Sequence, residues 1–322
     1  MLTTRFTELV GCQIPLQQAG MGGVAKADLA VAVSAAGALG MIGGAGVGTA
    51  ELSASFDAVA DRTDAPVGIN FLIPFVDPAA VEIAAGRARV VEFFYGDPDP
   101  KLVDAAKGGG ALAGWQVGSA EEAKAAVDAG CDLVVAQGVE AGGHVRGTVA
   151  LLPLLDDVLS AVDVPVVAAG GIGTARAMAA VLAAGADAAR VGTRFVATEE
   201  ADTHTEYAQA LVDAGPEDTV LTTTFSFMWP DAPHRVLRSC VDAADAFQGD
   251  TVGEAVMAGQ RMPVPHLAPP CPGRDTTGTI GAMALYAGQS VGAVTKVQAA
   301  ADIVHELADG AEALLKRSAP LG

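Results

Sequence analysis

Val164-Pro-Val-Val-Ala-Ala-Gly-Gly-Ile-Gly-Thr174 is the stretch of this sequence that is most informative about the fold. Its apolar half predicts a buried strand, its glycines end that strand, and Thr174 is placed to cap a following helix. The segment Val191-Gly-Thr-Arg-Phe195 has the same character, with Gly192 following Gly171 by 21 residues. Two consecutive strands that each end in glycine indicate a repeating strand–helix unit.

The same unit can be followed back to the N-terminus, and it occurs eight times. The predicted strands are Ile14–Ala19, Leu39–Ile42, Pro66–Leu72, Arg89–Tyr95, Leu112–Val117, Asp132–Gln137, Val164–Ala169 and Ala188–Gly192. Their starts are about 25 residues apart, which is enough for a strand, a helix and two short loops, so the sheet should be parallel. Eight such units predict an α/β protein with a (β/α)8 TIM barrel. A doubly wound open sheet is the alternative.

The rhythm changes after about Val196. A helix is predicted over Glu199–Gly215, a short strand over Thr219–Phe227 and the start of another helix at Pro233–Cys240. The proline-rich segment Met262–Pro272 is typical of a linker. Further helical patterns cover Gly281–Ala287 and Ala299–Lys316. We therefore expect a barrel formed by residues 1–199 and 271–322, with a small helical second domain at residues 200–270 that serves as a substrate or lid domain.

Composition limits the classes of partner. The chain has 322 residues, of which 51% are hydrophobic and 18% charged, and this excludes an intrinsically disordered protein. Nineteen basic against 38 acidic residues give a net charge of −19, which predicts neither nucleic acid nor an anionic membrane as a partner. Four scattered cysteines and an N-terminus without a signal peptide predict a cytoplasmic protein. The oligomeric state stays open, with a homodimer as one option.

The glycines that end the seventh and eighth predicted strands suggest an anion site. Loops at this position of a barrel commonly bind a phosphate through backbone N–H groups and a helix N-terminus. Gly170, Gly171, Gly192 and Thr193 are the predicted phosphate ligands. The alternative is that these glycines only make tight turns.

His144 is the candidate for proton transfer. It follows the sixth strand in Glu140-Ala-Gly-Gly-His144, where glycines offer no apolar neighbour to pack its ring, although a core histidine is the alternative. The other histidines have no ligand spacing with each other or with cysteine, so no metal site is predicted.

Three amide side chains end predicted strands at the same edge of the barrel. They are Asn70, Gln116 and Gln137. A buried amide must be hydrogen-bonded, so their shared position suggests a common polar ligand. The alternative is that each caps its own loop.

Taken in order along the chain, the motifs resemble the nitronate monooxygenase family. These motifs are Gln17-Gln-Ala-Gly-Met-Gly22, Gly68-Ile-Asn70, Glu140-Ala-Gly-Gly-His144, Ala168-Ala-Gly-Gly-Ile172, Val191-Gly-Thr-Arg-Phe195 and Tyr286-Ala-Gly-Gln289. The resemblance implies a TIM barrel with a small helical domain that binds FMN, and oxidation of alkyl nitronates to a carbonyl compound and nitrite with O2. The same family contains NAD(P)H-dependent flavin reductases of enoyl thioesters or quinones, which is the alternative function. A phosphate-metabolite-binding barrel without redox activity is a third hypothesis.

The resemblance also implies roles for individual residues. His144 corresponds to the catalytic base, or to the proton donor of the reductases. The implied cofactor-binding residues are Gly20, Met21, Gly22, Asn70, Gln116, Gln137, Gly142, Ala169, Gly170, Gly171, Gly192 and Thr193. Many members continue the Gly-Gly-His motif directly with Arg-Gly, whereas here Val145 precedes Arg146, so Arg146 is not implied to be equivalent. We nevertheless expect His144 and Arg146 to supply the positive charge that an anionic substrate needs.

Overall fold

A closed barrel of eight parallel strands forms the body of the protein. The computed structural model describes residues 2–257 and 260–318. The barrel strands are Leu16–Gln18 (β1), Gly40–Gly43 (β2), Val67–Leu72 (β3), Val90–Phe94 (β4), Leu112–Val117 (β5), Leu133–Gln137 (β6), Val166–Ala169 (β8) and Ala188–Val191 (β9), with the two-residue strand Gly143–His144 (β7) outside the barrel. They pair in the order β1-β9-β8-β6-β5-β4-β3-β2, and a parallel bridge between Gln17 and Leu39 closes the ring. The predicted TIM barrel and its eight strands are confirmed.

Strand alternation divides the barrel residues into two sets. One set, which includes Ile69, Val91 and Trp115, faces the surrounding helices in the main core. The other set faces the barrel interior, where Met41 and Val90 pack against Phe6 and Val10. These last two residues belong to the short helix Arg5–Val10 (α1), so α1 closes the end of the barrel where the strands begin.

Helices surround the barrel, and their starts follow local capping chemistry. They are Ala27–Ala35 (α2), Thr49–Ala60 (α3), Pro78–Ala85 (α4), Pro100–Gly108 (α5), Ala120–Asp128 (α6), Leu151–Ala161 (α7), Ala175–Ala183 (α8), Thr193–Val196 (α9), Thr205–Asp213 (α10), Arg238–Ala246 (α11) and Ala300–Ser318 (α12). As predicted, Ser119 and Thr174 cap α6 and α8 with their hydroxyl oxygens, which accept from the backbone N–H of Glu122 and Ala177. The last helix, α12, packs against α8 and α2 and so takes the place of the eighth barrel helix. None of the described helices is both long and apolar enough to cross a membrane.

The segment between α9 and α12 contains more than helices. Besides α10 and α11 it contains Thr219–Thr222 (β10), His234–Leu237 (β11), Thr251–Met257 (β12), Gln260–Pro265 (β13) and Thr277–Gly278 (β14). The linker predicted at Met262–Pro272 is wrong at its start, because β13 is an edge strand and an edge strand tolerates Pro263 and Pro265. The helix predicted at Gly281–Ala287 is also wrong, since only Ile280–Ala282 forms a short 3-10 turn there.

The predicted domain boundaries stay a proposal. Residues 200–270 include α10 and α11 and the strand β10, which lies within the predicted strand Thr219–Phe227, together with β11, β12 and β13, which the sequence did not indicate. The helix start predicted at Pro233 is wrong, because His234–Leu237 forms β11 and α11 begins only at Arg238. Met1, residues 258–259 and residues 319–322 lie outside the described residues.

Candidate active site

The carboxyl ends of the barrel strands open into one cavity of about 670 Å3. All thirteen residues that the sequence predicted for the site line this cavity. They are Gly20, Met21, Gly22, Asn70, Gln116, Gln137, Gly142, His144, Ala169, Gly170, Gly171, Gly192 and Thr193. The fold therefore brings together segments that are far apart in the chain, and the roles of the individual residues remain predictions.

Close packing of the loops requires glycine at several of these positions. A Cβ at Gly20 would overlap the side-chain amide of Asn70, and a Cβ at Gly142 would lie 2.5 Å from the Gly288 nitrogen. Gly170 and Gly171 have φ angles of +107° and +66°, in the left-handed region that glycine enters without steric cost. At these positions the loops pack against one another, and line the cavity, with backbone atoms and no side chain.

The glycines after β8 and β9 form the part of the cavity suited to an anion. Gly170 and Gly171 lead into the N-terminus of α8, where the unpaired N–H groups and the helix dipole favour negative charge. The hydroxyl oxygen of Thr193 accepts a hydrogen bond from the Gly288 backbone N–H at 3.0 Å. That bond ties the loop after β9 to the Tyr286-Ala-Gly-Gln289 segment, whose neighbour Ser290 also lines the cavity.

The three amides at the strand ends are nearly buried and face the same space. Asn70, Gln116 and Gln137 are between 6% and 8% exposed. Gln137 donates from Nε2 to the His144 carbonyl at 3.1 Å, so it also holds the loop that carries this histidine. Gln116 accepts at Oε1 from the Arg190 guanidinium at 2.6 Å.

His144 is fixed by a strand that the sequence did not predict. It lies in β7, which pairs with β11 so that His144 is opposite His234. Its ring stacks on Trp229 with a centroid distance of 4.0 Å and an interplanar angle of 22°. Within the part of the chain that the structure describes, its buried Nε2 has no hydrogen-bond partner.

The surroundings of His144 keep its ring neutral. Desolvation, followed by the nearby His234, lowers the pKa of His144 to about 3. His234 itself is fully buried, with Nδ1 within 2.8 Å of the Ala232 carbonyl and Nε2 accepting from the Phe225 N–H. At neutral pH the ring is therefore neutral and provides no positive charge, and its unpartnered Nε2 can form a hydrogen bond with a bound molecule.

Arg146 does not contribute to the cavity, so the expectation that it supplies positive charge there is wrong. Val145 has its side chain buried and its N–H bonded to the Pro233 carbonyl. The following Arg146 turns away and forms ion pairs with Asp97 and Glu122.

Sequence reasoning missed several residues that line the cavity. Arg190 reaches it from inside the barrel, and Phe75, Trp229 and Tyr286 form part of an aromatic wall beside His144. Arg190 could have been found, because a charged residue in the middle of the apolar strand Ala188–Val191 must have a buried partner. No local signal marks Trp229, since it comes from the segment between β10 and β11.

Comparison with known proteins identifies the family of this chain. The family model described as nitronate monooxygenase matches residues 3–86 and 76–310. A curated relative from Rhodococcus jostii, (3aS,4S,5R,7aS)-5-hydroxy-7a-methyl-1-oxo-octahydro-1H-indene-4-carboxyl-CoA dehydrogenase, is 37% identical over 74% of this chain and 66% of its own length. That alignment spans slightly less than two thirds of the relative.

Two solved structures match over nearly the whole chain. FabK from Thermotoga maritima has a TM-score of 0.81 and 29% identity, covering 98% of both chains. The nitroalkane oxidase from Streptomyces ansochromogenes has a TM-score of 0.78 and 29% identity, covering 97% of this chain and all of the other.

Proposed function

This chain belongs to the nitronate monooxygenase family and is an oxidoreductase, and from that premise we propose that it binds FMN in the barrel-end cavity and oxidises alkyl nitronates with O2. The observation that carries the proposal is the position of His144, a neutral base with an unpartnered Nε2 in a cavity lined by glycine loops. The products would be a carbonyl compound and nitrite.

The cavity suits a flavin mononucleotide in size and in the groups that line it. Its volume falls within the range of about 300–1,000 Å3 that is usual for small-molecule sites. Gly170, Gly171, Gly192 and Thr193 would hold the phosphate, with the α8 N-terminus behind them. Gly20, Met21 and Gly22 would offer backbone contacts to the ring system, and the amides of Asn70, Gln116 and Gln137 would pair with its polar atoms. Gly142 and Ala169 complete the same wall.

His144 would take the proton from a neutral nitroalkane at Nε2. The stacked face of Trp229 would then stabilise the positive charge that the ring acquires, through a cation–π interaction. A nitronate that has already lost its proton would not need this step. When bound, FMN supplies the redox chemistry by accepting electron density from the nitronate, and O2 completes the conversion.

A second function, a NAD(P)H-dependent flavin reductase of enoyl thioesters or quinones, is favoured by the relatives. The Rhodococcus jostii relative is named for a CoA-thioester substrate, and the FabK structure covers 98% of both chains. In this reaction the neutral ring of His144 would bind the acceptor through a hydrogen bond at the same nitrogen.

Anaerobic titration of the purified protein separates the two functions. The protein should be yellow and should release FMN on heating; a colourless protein that binds no FMN would contradict both functions and favour a barrel without redox activity. Propyl nitronate, NADH and NADPH are then added to separate samples without O2. Rapid bleaching by nitronate alone supports the oxygenase, and rapid bleaching by a pyridine nucleotide alone would replace it with the reductase.

A further inference from the structure

A layer of polar side chains crosses the barrel interior at the inner end of the cavity. It consists of Gln17 from β1, Glu92 from β4, Gln116 from β5 and Arg190 from β9. All four are buried, and Gln17 and Glu92 are completely so. Below the layer the barrel is filled by apolar side chains such as Val90 and Leu133.

Arg190 is the centre of this layer. Its guanidinium donates to Gln116 Oε1 at 2.6 Å and to Gln17 Oε1 at 3.3 Å, and it forms an ion pair with Glu92 Oε2. The same Glu92 oxygen accepts from Gln17 Nε2 at 3.2 Å. Among the described residues, the other carboxylate oxygen of Glu92 is buried without a hydrogen-bond partner. The four side chains therefore hold one another in a fixed arrangement.

The positive side of this layer is nearer to the cavity than the negative side. Arg190 and Gln116 line the cavity, whereas Glu92 and Gln17 lie behind them. Any group in the cavity is thus closer to the positive member of the pair than to the negative one. Lys26 also lines the cavity, but its amine is half exposed and paired with Asp202.

Filling a barrel does not require such a layer. Burying an ion pair costs several kcal/mol of desolvation per ion, and apolar residues of similar volume often stabilise a protein as well or better. A buried pair that presents its cation to a ligand cavity is instead a typical arrangement for controlling charge at a functional site.

We propose that Arg190 stabilises the negative charge that the bound flavin acquires on reduction, and that Glu92 sets how much of the Arg190 charge the flavin experiences. This inference rests on the proposed function, because it requires a flavin in the cavity. Arg190 would raise the midpoint potential of the flavin, and Glu92, from behind it, would partly offset that effect. Gln116 and Gln17 would orient the guanidinium.

The test is the midpoint potential of the bound flavin in two variants. Glu92→Gln keeps an oxygen that can accept from Arg190 and removes only the negative charge. The double variant Glu92→Gln with Arg190→Gln removes both charges and leaves no unpaired buried carboxylate. We expect the potential to be highest in Glu92→Gln, intermediate in the wild type and lowest in the double variant. Each step should change the reduction equilibrium by at least about tenfold, which is about 30 mV for a two-electron couple.

A matched control is Glu122→Gln combined with Arg146→Gln, which removes an arginine–glutamate pair outside the cavity and should leave the potential unchanged. The inference would be overturned if the flavin of Glu92→Gln had the same midpoint potential as the wild type, or a lower one. If the double variant does not fold, the comparison of Glu92→Gln with the wild type is sufficient. Loss of FMN affinity with retained riboflavin affinity and an unchanged potential would assign Arg190 to the phosphate instead. If the wild type binds flavin but the substitutions leave its midpoint potential unchanged, only this inference is contradicted. If the wild type binds no flavin, the proposed function is contradicted as well.

Discussion

At the scale of single residues, His144 permits the sharpest test of the proposed chemistry. Replacing His144 by Asn keeps a polar group but removes the base, so turnover of a neutral nitroalkane should fall by about 10²–10⁴-fold. Preformed nitronate should restore part of the activity, because its proton has already left. Bound FMN, measured by absorbance, should be retained.

The exposed His305 on α12 provides the control, since His305→Asn should match the wild type in both assays. Equal activity of His144→Asn and wild type on nitronate, neutral nitroalkane and pyridine nucleotide would show that His144 has no catalytic role.

The lowered pKa of His144 predicts a dependence of stability on pH. Its folded value of about 3 lies below the unfolded value of about 6.5, so acid protonates the unfolded chain first. Stability from this group is therefore present above about pH 6.5 and is lost as the pH falls toward 3. Between pH 7 and pH 5 the loss should be about 2 kcal/mol.

Denaturant unfolding of wild type and His144→Asn at both pH values measures this contribution. The fall in unfolding free energy should be smaller in the variant by about that amount, whereas identical falls would mean that His144 titrates normally in the folded protein.

Gly171 tests the phosphate site. Gly171→Asp would place a carboxylate beside a phosphate dianion, and the FMN content after purification should drop sharply. Gly110→Asp is the control, because Gly110 also has a positive φ, of +98°, but has open space around it and does not line the cavity. Full FMN occupancy in Gly171→Asp would place the phosphate elsewhere.

The site residues that the sequence could predict share one property. Glycines and amides such as Gly171 and Asn70 end strands whose hydrophobic period identifies them, so the barrel topology alone brings them together. Trp229 and Tyr286 reach the cavity through pairing that involves β7 and β11, and no local pattern indicates contacts between segments so far apart. Glu92 and Arg190 lie between these cases, since their buried positions are predictable but their pairing is not.

At the scale of elements, the contact between α12 and α8 predicts that replacing a glycine by alanine within α12 lowers stability, although helix propensity alone would predict an increase. Gly310 lies within α12, where glycine normally costs about 0.5–1 kcal/mol relative to alanine. A Cβ at this position would lie 2.5 Å from the Ala175 Cβ in the first turn of α8. Gly310→Ala should therefore destabilise the protein by about 1–2 kcal/mol, because the two helices would have to move apart.

Gly108→Ala in α5 is the matched control, because nothing lies within 4 Å of the added Cβ and the substitution should be neutral or stabilising. The measurement is the thermal unfolding temperature of each variant compared with that of the wild type. A more stable Gly310→Ala would mean that α12 does not pack this closely on α8.

The barrel strands could be predicted from the sequence, whereas some strands outside the barrel could not. Each barrel strand carries its own apolar run and terminal glycine or polar residue, so eight of eight were predicted near their observed bounds. The sequence predicts β10 within Thr219–Phe227, but it predicts a helix start where the short strand β11 lies, and β7, which pairs with β11, has only two residues. Their stability comes from pairing between distant segments, which a period along the chain does not report.

At the scale of the whole molecule, the surface and the cavity oppose each other electrostatically. The chain carries a net charge of −19, while Arg190 presents a positive group at the inner end of the cavity. Around the same cavity the lining includes the carboxylates of Glu51, Asp202 and Asp275. An anionic substrate must therefore pass a negative field before it reaches a favourable site.

This arrangement predicts that salt accelerates the capture of an anionic substrate. Raising the ionic strength from about 10 mM to about 150 mM shortens the Debye length from about 30 Å to about 8 Å and screens the repulsion of a nitronate by the surface. We expect kcat/KM for propyl nitronate to rise by about two- to tenfold over this range, because the net field of a protein acts mainly on association. The neutral parent nitroalkane, assayed in the same buffers, should show little change. If kcat/KM for the nitronate fell with salt instead, the cavity entrance would attract anions, and the local positive groups would outweigh the net charge of the molecule.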